Sequence, residues 1–146
     1  MTKSNYKNLV KLKEKFSEMG EPVEVLAFPC NQFGGQESKC DDEIQRFARK
    51  ITLSFSSRKK EEEFDVFAKV DVNGKNADPL FKFLRHRLSG TLCCIKYNEI
   101  KWNFTIFICN KSGIPVKRFL PSTSSTHVEK VVIELLREDD AGRAKR

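Results

Sequence analysis

Apolar positions recur along this chain with two periods, and the switches between them divide it into elements. Leu9, Leu12, Phe16 and Met19 keep helical spacing, which predicts a helix over 4–19 capped by Ser4 and ended by Gly20. "PVEVLAF" (22–28) reads as a strand whose Val25-Leu26-Ala27-Phe28 run is buried. Asp41 or Asp42 caps a second helix in which Ile44, Phe47, Ala48 and Ile51 share a face. The polar "SFSSRKKEEE" (54–63) is an exposed loop or a helix extension. "FDVFAKVDV" (64–72) is a second strand, closed by a turn at Asn73-Gly74. Asp78-Pro79 opens a third helix to about Leu88, with proline at the first-turn position it tolerates. "SGTLCCIKYNE" (89–99) is a loop. "WNFTIFICN" (102–110) and "VKRFL" (116–120) are strands paired as a hairpin around "KSGIP". Thr126-x-x-Glu129 resembles a capping box and leads a helix through Val128, Val131, Val132, Leu135 and Leu136, after which "EDDAGRAKR" frays.

Strands alternating with helices predict an α/β layer fold with an antiparallel hairpin at its end. The 146 residues suit one domain, expected over 1–138 with a tail over 139–146. Such a chain normally opens on a strand. This one opens on a helix, which either packs on one face of the sheet or belongs to a βαβ unit whose first strand is missing.

Composition narrows the class. Hydrophobic residues at 39% and charged residues at 32% fit a soluble globular protein, and no apolar run reaches the roughly 20 residues of a membrane span. "MTKSNYKNLV" has no apolar signal-peptide core. The net charge of +7 is scattered, and "RKKEEE" (58–63) cancels itself. With neither zinc-finger spacing nor an aromatic RNA motif, nucleic acid is not expected as a partner. The cysteines, Cys30, Cys40, Cys93, Cys94 and Cys109, are odd in number and form no CxxC, which favours a reducing compartment, the cytoplasm. Cys109 is expected as a small core residue. His86 and His127 lie in helical patterns away from the cysteines, so no metal site is expected.

The chemistry concentrates in two stretches. Residues 29–37 lie just past the end of a predicted strand, where open α/β sheets place their sites. Their amides, Asn31, Gln32 and Gln36, either tie down the Gly34-Gly35 turn or bind something else. Trp102 and Asn103 begin a later strand. An indole donates once and a carboxamide twice, so with Gln36 they would form a ring of neutral donors suited to a thiolate or selenolate. Core packing is the alternative for Trp102.

These stretches carry a resemblance. "LAFPCNQFGGQE" (26–37), "KWNFTIFICNKSGIPVKRFLPSTS" (101–124), "TKSNYKNL" (2–9) and "FDVFAKVDVNGKNADPLFKFL" (64–84) are similar, in order, to the glutathione peroxidase family, and to its monomeric, phospholipid-hydroperoxide type. The resemblance implies a thioredoxin-like fold, a central mixed sheet flanked by helices. It also implies reduction of hydrogen peroxide and lipid or organic hydroperoxides with glutathione or thioredoxin, and no bound cofactor. By position it implies that Gln36, Trp102 and Asn103 belong to a catalytic tetrad. Lys117 and Arg118 match a basic pair that attracts glutathione carboxylates or lipid phosphate, or form a solvated strand edge.

The fourth tetrad member, a selenocysteine or cysteine in a (Sec or Cys)-Gly-x-Thr pattern, meets this chain only at Met1-Thr2. The resemblance therefore implies an N-terminally truncated sequence, with the nucleophile, the first strand and any targeting peptide upstream of Met1. Ala48 stands where cysteine-type members place a resolving cysteine, which implies the selenocysteine type. An in-frame TGA followed by a glycine codon is then expected just upstream. Cys30 is expected as a packed thiol, and Cys40, at a helix start, as a candidate resolving thiol. The loops at 54–63 and 93–99 depart from the family pattern. As written, the chain is expected to be inactive and poorly soluble. The alternative is a non-catalytic thioredoxin-like binding or redox-sensing module.

Overall fold

Helix α1 (Thr2–Glu18) starts before Ser4 and stops where Gly20 predicts. Gly20 takes a left-handed φ of 75°. Its N–H donates to Ser17 O at 3.1 Å, and the N–H of Glu21 donates to Phe16 O at 3.0 Å, a paired ending that needs a residue free to turn left-handed. Of the predicted apolar set Phe16 is fully buried and Leu9 and Leu12 are half-buried, Val10 and Lys13 complete the buried line, and Met19, past the last turn, is exposed. Lys13 buries its stem while its ammonium meets Glu24 Oε2 at 2.9 Å.

The computed structural model describes residues 2–56, 64–92 and 95–143. The chain divides into two units, 1–70 and 71–146. The predictions for Cys93, Cys94 and most of 54–63 lie outside the described residues.

In the first unit, α1 packs on α2 (Asp41–Phe55). The cap of α2 is the extended Cys40 rather than an aspartate. Asp41 is engaged elsewhere, its Oδ1 accepting from the N–H of Lys69 at 3.0 Å, while Asp41, Asp42 and Glu43 fill the first turn near the positive helix end. Ile44, Ala48 and Ile51 are buried as predicted, but Phe47 is exposed. Thr52 takes a core position because its hydroxyl donates to the carbonyls of Ala48 and Arg49. Strand β1 (Leu26–Ala27) pairs in parallel with β2 (Asp65–Val66). The pairing continues through Phe67 N–H to Ala27 O at 2.9 Å and Val70 N–H to Pro29 O at 3.0 Å. Leu26 is 55% exposed, so the run read as a buried strand is short and open.

In the second unit, Asp78 Oδ1 accepts from the N–H of Leu80 at 2.9 Å and starts α3 (Pro79–Arg87) as predicted. The stretch predicted as a loop is instead an antiparallel hairpin, β3 (Gly90–Leu92) with β4 (Ile95–Tyr97). Gly90 permits it, since a Cβ there would lie 2.4 Å from the Tyr97 ring. The predicted later hairpin is present as β5 (Ile106–Cys109) and β6 (Pro115–Phe119). Its turn is organised by Asn110, whose Oδ1 accepts from the N–H groups of Ser112 and Ile114 at 3.1 and 3.0 Å. Helix α4 (Ser125–Arg143) starts before the predicted box. Ser124 caps it, its Oγ accepting from the N–H of His127 at 3.3 Å, and the helix runs into the stretch expected to fray.

Candidate active site

The Gln36 loop leaves β1 at Pro29, held by Val70, and returns at Glu37 and Lys39, whose carbonyls accept from Lys69 Nζ at 2.9 and 2.7 Å. Between these anchors the chain shapes itself. The buried Sγ of Cys30 lies 3.7 Å from Gln32 Oε1 and accepts from the N–H of Gln32 at 3.5 Å. Asn31 Oδ1 accepts from the N–H of Glu37 at 2.9 Å. Phe33 turns into the core, and Gly34 and Gly35 adopt φ of 67° and 61°, the left-handed region glycine reaches without strain. Gln36 is exposed, and its side chain folds back over Gly34, with Cγ 3.8 Å from where a Cβ there would stand. Cys30 is thus the packed thiol expected, and two of the three amides shape the loop.

Trp102 and Asn103 lie in the second unit, on a turn before β5 rather than on the strand. Trp102 is 43% exposed, which removes core packing as its role. Thr105 Oγ1 donates to Trp102 O at 3.0 Å and closes the turn. Phe104 within it has φ 59°, the one left-handed non-glycine backbone among the described residues. The preceding Ile100 is buried and held by Asn73 on both its backbone groups.

Lys117 and Arg118, on β6, differ. Lys117 is exposed. Arg118 is no solvated edge: Nη1 donates to Leu88 O at 3.4 Å and Asn98 O at 3.1 Å, and Nη2 donates to Glu99 O at 2.6 Å. The guanidinium lies 5.0 Å from the Tyr97 ring centre and 5.3 Å from that of Phe107. Burial pulls its pKa down, and Arg85 adds to the fall against the opposing pull of Tyr97. Its terminal nitrogens are engaged by backbone carbonyls within the fold, which leaves the exposed Lys117 as the more open of the two cations. A cavity of about 360 Å³ lies against Leu88, Gly90, Tyr97, Val116, Lys117 and Arg118.

Of the other thiols, Cys40 is exposed at the start of α2 and donates to Glu43 Oε2 at 3.4 Å. Cys109 is exposed rather than in the core, because the register shift at Ile108/Cys109 breaks the alternation of β5. Partial burial still pushes its thiol pKa up. Among the described residues no group of three or more His, Cys, Asp or Glu could hold a metal, and no helix is long and apolar enough to cross a membrane. Sequence reasoning missed Lys69, Asn73 and the inward role of Arg118. The Asn73-Gly74 turn signal touched Asn73, and Arg118 was marked only as half of a basic pair.

A family model described as glutathione peroxidase matches residues 1–85. The chain is 46% identical over 135 residues to a probable phospholipid hydroperoxide glutathione peroxidase of Helianthus annuus, covering 92% of this chain and 67% of that protein. The chain belongs to the glutathione peroxidase family. It is also 42% identical over 135 residues to a glutathione peroxidase of Schistosoma mansoni, covering 92% of this chain and 72% of that protein. Among solved structures, the apo crystal structure of Trgpx superposes with a TM-score of 0.66 at 28% identity, over 92% of this chain and 71% of that one. The glutathione peroxidase membership and this likeness give the chain a thioredoxin-like fold within a family of peroxidase oxidoreductases.

Proposed function

We propose that this protein serves the reduction of hydrogen peroxide and organic or lipid hydroperoxides by thiol. Two thiols give up two electrons and two protons as the peroxide O–O bond breaks, yielding an alcohol, water and a disulfide. A thiolate or selenolate attacks the terminal peroxide oxygen, is oxidised to a sulfenic or selenenic acid, and is reduced by glutathione or thioredoxin. Gln36, Trp102 and Asn103 supply neutral N–H donors that favour the anionic nucleophile and hold the peroxide. Lys117 is the surface cation assigned to a glutathione carboxylate or a lipid phosphate. A monomer working in the reducing cytoplasm, at times against a phospholipid surface, completes the reading. The observation that carries it is 46% identity to a phospholipid hydroperoxide glutathione peroxidase over 92% of this chain.

None of the five cysteines stands in a Cys-Gly-x-Thr pattern, which favours a second reading of these 146 residues as a thioredoxin-like binding or redox-sensing module. A glutathione-coupled peroxidase assay separates the two. Negligible turnover is expected from the 146 residues, and turnover from a form extended by a strand and Cys-Gly before Met1. Robust turnover from the 146 residues would move the nucleophile to Cys30 or Cys40. No turnover from the extended, folded form would overturn the catalytic reading.

A further inference from the structure

The segment 98–100, just before the Trp102 turn, is held by side chains from remote elements. Asn73 Nδ2 donates to Ile100 O at 2.8 Å, and Asn73 Oδ1 accepts from the N–H of Ile100 at 2.9 Å. A carboxamide offers the same donor and acceptor pair as a peptide group, so Asn73 does for Ile100 what a paired strand residue would do. Arg85 Nη1 donates to the same Oδ1 at 3.3 Å, which fixes which end of the amide faces which backbone group. Arg118 takes the carbonyls of Asn98 and Glu99 at 3.1 and 2.6 Å. The carbonyls of three consecutive residues are thus each bound by a remote side chain, and Trp102 follows two residues later. The left-handed Phe104 beside it is a strained backbone that persists only where its flanks are held.

We propose that Asn73, supported by Arg118, is a positioning residue for the Trp102–Asn103 turn. It touches neither substrate nor nucleophile. It sets where the donors of that turn stand, and donors aimed in advance are what make such a site effective. Its functional meaning rests on the reading above, but the positioning itself is measured without turnover.

Trp102 is the only tryptophan in the chain, so its fluorescence reports on this turn alone. In Asn73→Ala, well below its melting temperature, Trp102 emission shifts and acrylamide quenching rises. Backbone amides over 98–103 exchange about tenfold faster, the scale expected from losing these bonds. Asn73→Asp keeps the acceptor and loses the donor, gives an intermediate change, and serves should Asn73→Ala fail to fold. Val72→Ala removes a buried neighbour but leaves the clamp, and keeps the wild-type Trp102 signal and exchange at 98–103. Wild-type signals in the Asn73 variants, or an equal change in Val72→Ala, would overturn the proposal. A Trp102 signal that moves in Asn73→Ala, while Gln36→Ala and Trp102→Phe leave turnover of the extended form intact, supports the positioning and removes the catalytic reading instead.

Discussion

The loop that carries Gln36 is anchored at its two ends by Val70 and Lys69, but between those anchors its shaping bonds are short in sequence. Gln32 meets Cys30 two residues away, Asn31 meets Glu37 six residues away, and Gly34 and Gly35 supply the turn. In the segment leading to Trp102 and Asn103, the holding groups lie 27 residues away at Asn73 and 19 to 20 away at Arg118. One stretch carries most of its own instructions. The other has few, and takes its course from side chains that the fold brings to it. A local loop loses little when one bond goes, because the others lie within reach. A remotely clamped segment loses its course when one clamp goes, because nothing nearby replaces it.

The contrast is broken most directly by Asn73→Ala. It orphans two backbone groups of the buried Ile100 and is expected to cost about 3 kcal/mol, read as a fall in the urea midpoint. A loss no larger than that of the loop variants would end the distinction. Gly90→Ala comes next. The added methyl meets the Tyr97 ring on which Arg118 packs, and about 2 kcal/mol is expected. A stable Gly90→Ala protein would mean that the hairpin yields freely.

In the local loop the costs fall. Gly34→Ala adds a Cβ in ordinary contact with Gln36, so only the φ of 67° opposes it, at about 1 kcal/mol by thermal melting. Asn31→Ala removes one exposed bond and is expected to cost about 0.5 kcal/mol, with Trp102 fluorescence unchanged. The smallest effect is a pH dependence. Burial first, then the Glu37 carboxylate, raises the pKa of the Tyr6 phenol above its ordinary 10.0. The fold therefore favours protonated Tyr6. That contribution is whole below the unfolded value and is lost as pH rises through the folded one. Tyr6→Phe should flatten the decline of the urea midpoint above about pH 10. An equal decline in both proteins would assign it to other groups.

The same contrast explains what could be read before the structure. The stop of α1 at Gly20, the start of α3 at Asp78-Pro79 and the Asn110 turn were legible, since each is made by residues within a few positions of one another. The string from Pro29 to Gln36 was legible as a loop organised by amides for the same reason. The start of α2 was misjudged because Asp41, a good cap by type, is drawn off by the backbone of Lys69, 28 residues away. The hairpin at 90–97 was missed because its pairing depends on Tyr97 closing over Gly90, a fit that no local periodicity announces.

By itself, then, the sequence determined the stop of α1, the start of α3, the tight turns and the chemistry of the candidate donors, because hydrogen bonds across two to six residues depend on neighbours alone. Only the tertiary structure decided that Lys13 and Thr52 are buried while Met19 and Leu26 are exposed. It also decided that Arg118 faces inward and that Asn73 holds the approach to Trp102. Burial of a charge, or capture of a peptide group by a distant side chain, requires the chain to reverse and bring a partner within 3 Å, give or take a few tenths. Residue spacing along the sequence does not contain that distance.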